Sequence, residues 1–127
     1  MLIHIHVGTA MSKKYRNTSV VKNRTSAFSN QDGRCFYCNQ PMWVNQPESF
    51  CNQYRISLNA AQLLKCTAEH VIARKDGGSN QGNNIVAACL YCNNTRHKAK
   101  NALSVDKYKA RVIRRMGQNK WHPIRVC

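Results

Sequence analysis

Apolar positions recur along the chain with two different periods, and each period predicts an element. From Cys66 to Ile72 apolar and polar residues alternate, which is the period of a strand with one covered face. Asp76-Gly77-Gly78-Ser79-Asn80 then gives a strong turn signal, and Ile85–Ala88 is a short apolar run suited to a returning strand. Ser57 can cap a short helix with Leu58, Ala61, Leu64 and Lys65 at helical spacing. A helix is expected after Cys92 as far as about Ala102. Ser104 can cap a last one whose Val105, Tyr108, Val112 and Met116 share a face.

Elsewhere the periods fade. Residues 11–34 are basic and rich in Ser, Asn and Thr, so they are expected to form an arm with little regular structure until Asp32-Gly33 turns. Pro41 and Pro47 bracket an expected loop. At the start, Ile3, Ile5 and Val7 alternate with His4 and His6, which suits a short strand or a disordered end. The expected organisation is a basic N-terminal arm over 1–34, partly disordered, a central domain over 35–102, and a C-terminal basic helix and tail over 103–127 packed on that domain.

Charge adds a partner to this outline. The 127 residues suit one domain with one modest core, and they carry 20 Lys and Arg against 5 Asp and Glu, a formal net charge of +15. So one-sided a charge opposes compaction unless a polyanion screens it, and nucleic acid is the leading candidate. A membrane surface would need an amphipathic helix with a wide apolar face, which no stretch clearly offers. No run of 18 apolar residues is present to span a bilayer. The opening apolar patch is short and precedes its positive charges, unlike a secretory signal, so an intracellular, cytoplasmic setting is expected.

The cysteines bring in metal chemistry. Seven is an odd number, and four sort into Cys35-Phe36-Tyr37-Cys38 and Cys89-Leu90-Tyr91-Cys92. Two residues between thiolates allow a tight turn to aim both sulfurs at one ion, and two such turns complete a tetrahedral Zn²⁺ site. A pair of disulfides or of buried thiols is the alternative, and it fits a reducing compartment less well. Cys51 and Cys66 are expected as small core residues, with replacement of a knuckle ligand by either one as the alternative, and Cys127 as a terminal thiol.

Between the knuckles lie Glu69-His70, Asn84, Asn93 and, four residues further, His97. In this order, with strand, Gly-rich loop, strand and helix around them, they resemble the HNH endonuclease family from about Cys35 to Lys100. The resemblance implies an α+β fold, a ββα-metal finger with a structural zinc site from the two knuckles, flanked by helices and the basic arm. It further implies that His70 is the general base, that Glu69 and Asn93 hold a catalytic divalent ion, that Asn84 orients the histidine, and that His97 supplies a further metal ligand. Three positions depart from the common family pattern: Glu69 stands where Asp or His is more frequent, Ala73 where proline is frequent, and Asn93 where His is frequent.

The residue types suit that chemistry in their own right. Hydrolysing a phosphodiester requires a water deprotonated near neutral pH, a task for imidazole. Charge on the leaving oxygen is stabilised by a hard cation such as Mg²⁺ or Mn²⁺, which prefers oxygen ligands such as Glu69 and the Asn93 amide. Adjacent strand residues point to opposite faces, so Glu69 and His70 reach one phosphate only across the hairpin edge. Substitution of Glu69 by Ala is expected to stop cleavage while leaving the fold near wild type. Eight Lys or Arg against Asp106 alone between Arg96 and Arg115 cannot pair internally. Arg96, Lys98, Lys100, Lys107, Lys109, Arg111, Arg114 and Arg115, with Arg74 and Lys75 of the loop, are therefore expected to contact DNA phosphates, double-stranded DNA first. Two rivals remain: an inactive zinc-stabilised nucleic-acid-binding module, and a toxin-like nuclease controlled by an acidic inhibitor protein. Phage or mobile-element origin would suit the nuclease reading.

Overall fold

In the computed structural model, residues 18–126 are described. Expectations for the first seventeen residues and for Cys127 lie outside them. The architecture is α+β, with one small antiparallel sheet of two strands among helices.

The hairpin forms where the alternation places it. Strand β1, Cys66–His70, pairs with β2, Ile85–Cys89, in a register that sets Cys66 against Cys89 and His70 against Ile85. Between them the loop of residues 71–84 contains two short 3-10 turns, Arg74–Asp76 and Gly82–Asn84. Gly78 is obligatory there, because a Cβ would fall 1.6 Å from the Ile72 carbonyl oxygen.

The N-terminal part is more ordered than its composition suggests. Helix α1, Thr18–Asn30, replaces the irregular arm expected over this stretch and packs across both strands. Only Ala27 of this helix is fully buried, so no amphipathic stripe announces it. Its anchorage is polar: just past its end, the Gln31 amide donates to the Ala87 carbonyl at 2.8 Å and accepts from the Ala87 N–H at 3.0 Å. The free edge of β2 thus finds a side-chain substitute for a third strand. Asp32 and Gly33 then turn with positive φ, at 55° and 72°, into the first knuckle.

Residues 41–46 form the expected loop, and helix α2, Pro47–Tyr54, begins where it ends, with proline in the first turn, where its missing N–H costs nothing, and Glu48 beside it. Helix α3, Leu58–Gln62, has the Ser57 cap, whose oxygen accepts from the Ala60 N–H at 3.1 Å. Helix α4, Leu90–Lys98, begins within the second knuckle and ends four residues before Ala102. Helix α5, Val105–Gly117, buries Val105, Tyr108 and Val112. The core joins these side chains to Leu64, Ala61, Ala87, Ala88, Trp43 and the buried cysteines. Among the described residues, no helix is long and apolar enough to cross a membrane.

Candidate functional site

The two knuckles meet at the Cys89 end of the hairpin. The sulfurs of Cys35, Cys38, Cys89 and Cys92 lie within 4.8 Å of one another, all buried, an arrangement compatible with a structural zinc site. Cys51 and Cys66 stand outside the cluster. Burial pushes the Cys35 thiol up, but hydrogen bonds from the other three cysteines outweigh this and hold it well below the ordinary thiol range. Main-chain N–H groups of Tyr37 and Cys89 also point at Cys35 Sγ, at 3.4 and 3.3 Å.

The C-terminal segment completes this cluster, and nothing in the knuckle spacing signals it. Trp121 Nε1 donates to Cys92 Sγ at 3.3 Å, and His122 Nε2 lies 3.6 Å from Cys89 Sγ. The other His122 nitrogen, Nδ1, accepts from the Ile124 N–H at 3.0 Å, which leaves the imidazole proton on Nε2, facing sulfur. Such N–H groups around thiolates offset negative charge and fix ligand orientation.

A second site opens at the His70 end. Glu69, His70, Asn93 and His97 line one open cleft of about 330 Å³ together with Arg74 and Lys75. Glu69 points inward, its side chain 1% exposed, while His70 is half-buried, as opposite strand faces require. Glu69 Oε1 meets His97 Nε2 at 2.8 Å. Its other oxygen, Oε2, accepts from the Tyr37 hydroxyl at 2.7 Å and from Arg96 Nη1 at 2.9 Å. Burial pushes the Tyr37 phenol far above its ordinary value, with the Glu69 charge adding to it, so the hydroxyl remains a donor.

Arg96 needs correcting. Placed among the phosphate-binding residues by its basic neighbours, it is in fact buried, and it donates to Glu69 and to the carbonyls of His70, Val71 and Leu103. It ties β1 to the end of α4. Asn93 donates from Nδ2 to Thr67 Oγ1 at 3.0 Å and to the Ala68 carbonyl at 3.1 Å, which leaves its amide oxygen clear of both contacts.

Asn84 sits close to the histidine in the fold but does not bond its ring. Its Oδ1 accepts from the Ile72 N–H at 2.8 Å, and its Nδ2 donates to the carbonyls of Ile72 and Ser79, so it clamps the loop. The ring partner is Asn80, whose Oδ1 lies 2.9 Å from His70 Nε2. The Asn80 carbonyl in turn accepts from Asn23 of α1 at 2.7 Å. Asn80 lay in view within the turn signal, but a turn signal describes backbone, not side-chain partners.

The remaining basic residues divide. Lys98 and Lys100 are exposed, and Lys75, His97 and Lys100 line an adjoining cavity. On α5, Lys107, Arg111 and Arg114 are exposed and Arg115 bonds the Lys120 carbonyl, but none of them lines the cleft. Lys109 lines a separate groove.

Comparison with known proteins gives one positive result. Residues 57–99 match the family model described as HNH endonuclease. Neither the search of curated proteins nor the search of solved structures produced a match. The matched stretch begins at the cap of α3, contains the whole hairpin and loop, and ends just past α4, so it includes Glu69, His70, Asn84, Asn93 and His97. The likeness of this chain to the HNH endonuclease family is thus carried by residues 57–99.

Proposed function

We propose that the chain is a metal-dependent endonuclease that hydrolyses DNA phosphodiester bonds, double-stranded DNA first, with His70 as general base. The observation that carries this reading is the convergence of Glu69, His70, Asn93 and His97 on one open cleft with Arg74 and Lys75 at its side. Since Asn80 Oδ1 accepts from His70 Nε2, the ring proton is held there and the Nδ1 lone pair is available to take a proton from water.

The donor set fits a hard divalent ion. Glu69 Oε1, His97 Nε2 and the Asn93 amide oxygen are the candidate ligands, with Glu69 Oε1 and His97 Nε2 2.8 Å apart. Mg²⁺ or Mn²⁺ bound there would supply stabilisation of negative charge on the leaving oxygen. Tyr37 and Arg96 fix the Glu69 carboxylate from behind, so the side chain presents one oxygen in a set direction. Arg74 and Lys75 are exposed at the cleft, where their charge suits substrate phosphates, and Lys98 and Lys100 extend the basic surface.

Incubation of purified protein with supercoiled plasmid tests the proposal. A nick or break is expected with Mg²⁺ or Mn²⁺, lost in EDTA, with 5′-phosphate and 3′-hydroxyl ends. Plasmid binding without cleavage in either metal would identify an inactive binding module instead.

A further inference from the structure

The turn that carries Asn80 is held from two sides. From within the loop, Asn84 Nδ2 donates to the Ser79 carbonyl at 2.8 Å, which sets the peptide plane on the N-terminal side of Asn80. From α1, Asn23 Nδ2 donates to the Asn80 carbonyl at 2.7 Å, which sets the plane on the C-terminal side. Because peptide units are planar, holding both restricts the two backbone dihedrals of Asn80 and with them the direction of its side chain. That side chain meets His70 Nε2 at 2.9 Å. Among the described residues Asn80 makes no hydrogen bond besides those to Asn23 and His70, so loss of the Asn23 bond releases the second plane.

Asn23 has a firm base from which to act. Helix α1 packs across both strands, and the Gln31 amide just past its end bonds the Ala87 main chain twice. The Asn23 side chain is half-buried, and its Oδ1 faces Gly82, where an added Cβ would stand 3.5 Å away, so one amide spans the turn from residue 80 to residue 82. We propose that Asn23 is a positioning residue for the His70 base: through the Asn80 carbonyl it holds the turn in the conformation in which Asn80 Oδ1 accepts from His70 Nε2. The ring then keeps its proton on Nε2 and its lone pair on Nδ1. Asn84 acts on the histidine at one remove, through the Ser79 carbonyl. The effect on rate rests on the nuclease reading above, and it makes α1 part of the working site although the family match begins only at residue 57.

Two measurements on the full chain test it, one of rate and one of the ring itself. Asn23→Ala keeps a good helix former, and Asn23→Asp keeps the size but loses the donor. In single-turnover cleavage of a labelled duplex with Mg²⁺ or Mn²⁺, both should be slower by roughly 3- to 10-fold, the share of one hydrogen bond, with duplex affinity, zinc content and melting temperature near wild type. Asn80→Ala should be slower by roughly 10- to 100-fold. In that background Asn23→Ala should add nothing, because its effect passes through the Asn80 side chain. Long-range proton–nitrogen NMR at about pH 8, where imidazole is neutral, should show His70 of the metal-free wild-type cleft protonated on Nε2 and bare on Nδ1, and a mixture of the two forms in Asn23→Ala and Asn80→Ala. A wild-type ring protonated on Nδ1, or an Asn23→Ala effect that persists in full without the Asn80 side chain, would overturn the proposal. If wild type cuts and both Asn23 variants match it in rate and spectrum, the positioning alone fails. If wild type cuts nothing in either metal while the spectra follow this order, the nuclease reading fails and the hold on the ring stands.

Discussion

The two ends of the β1–β2 hairpin are built on different terms. Where Cys66 pairs with Cys89, side chains are almost wholly buried and the four clustered sulfurs are enclosed by main-chain N–H groups, Trp121 and His122. Where His70 pairs with Ile85, the ring of His70 is half-exposed, His97 is 35% exposed and a loop of fourteen residues, 71–84, opens the surface. One end suits an ion that stays; the other suits an ion and a substrate that exchange. Tyr37 connects the two, since it stands between two of the clustered cysteines and its hydroxyl reaches Glu69. Stability and chemistry are thus divided between the ends but not independent.

The largest expected effect belongs to the closed end. Cys35→Ser or Cys92→Ser should lose bound zinc and native structure together, because zinc at such a site contributes on the order of 10 kcal/mol to folding. Metal analysis and circular dichroism on the purified variants measure this. A wild type without zinc would remove the contrast between the two ends.

At the open end, His70→Ala should lower the cleavage rate by roughly 10²- to 10⁴-fold while DNA binding and zinc content remain, since a general base contributes about that much to the chemical step. Single-turnover cleavage of a labelled duplex is the measurement. Undiminished activity would show that another group takes the proton.

Glu69→Ala crosses the division. From sequence alone this change is expected to spare the fold, but the buried Glu69–Arg96 pair alters that expectation. Removal of the carboxylate leaves the Arg96 guanidinium buried without its ionic partner, which costs about 3–5 kcal/mol. Glu69→Ala should therefore abolish cleavage and lower the melting temperature, whereas Glu69→Gln, which keeps an acceptor for Tyr37 and Arg96, should melt closer to wild type. If Glu69→Ala melts like wild type, the carboxylate is not a structural link between the ends.

What could be read from the sequence follows from the same division. The hairpin, its loop and the knuckles each have a local cause, in alternation, in Asp76–Asn80 and in paired cysteines, and all appear at the expected places. Helix α1 could not be read this way, because its hold on the sheet comes through Asn23 and Gln31 amides and not through an apolar stripe. Helix α2 did carry a local sign, Pro47 followed by Glu48, which is the pattern of a first helical turn as well as of a loop. Within the site, the residue types and their convergence were legible, but the partners of each were not. Arg96 is one cation in a run of eight, and only the fold shows that it points inward. Asn84 and Asn80 are both turn residues by sequence, and three-dimensional placement alone assigns one to the loop backbone and the other to the histidine ring.

The smallest expected effect concerns the cysteine that faces the cluster from β1 without joining it. Cys66 is buried, and burial pushes its thiol up to about 11. Cys66→Ala should leave zinc stoichiometry and cleavage unchanged and cost about 1 kcal/mol, the loss of one small buried group. That cost should shrink in alkali. The unfolded thiol ionises near ~8.5, whereas the folded one holds its proton until about 11, so wild-type stability falls as pH rises through this window, a decline the Ala variant lacks. Denaturant melts at pH 7.5 and 9.5 should show the two proteins drawing together. A drop in zinc content on substitution of Cys66 would make it a ligand and redraw the boundary of the closed end.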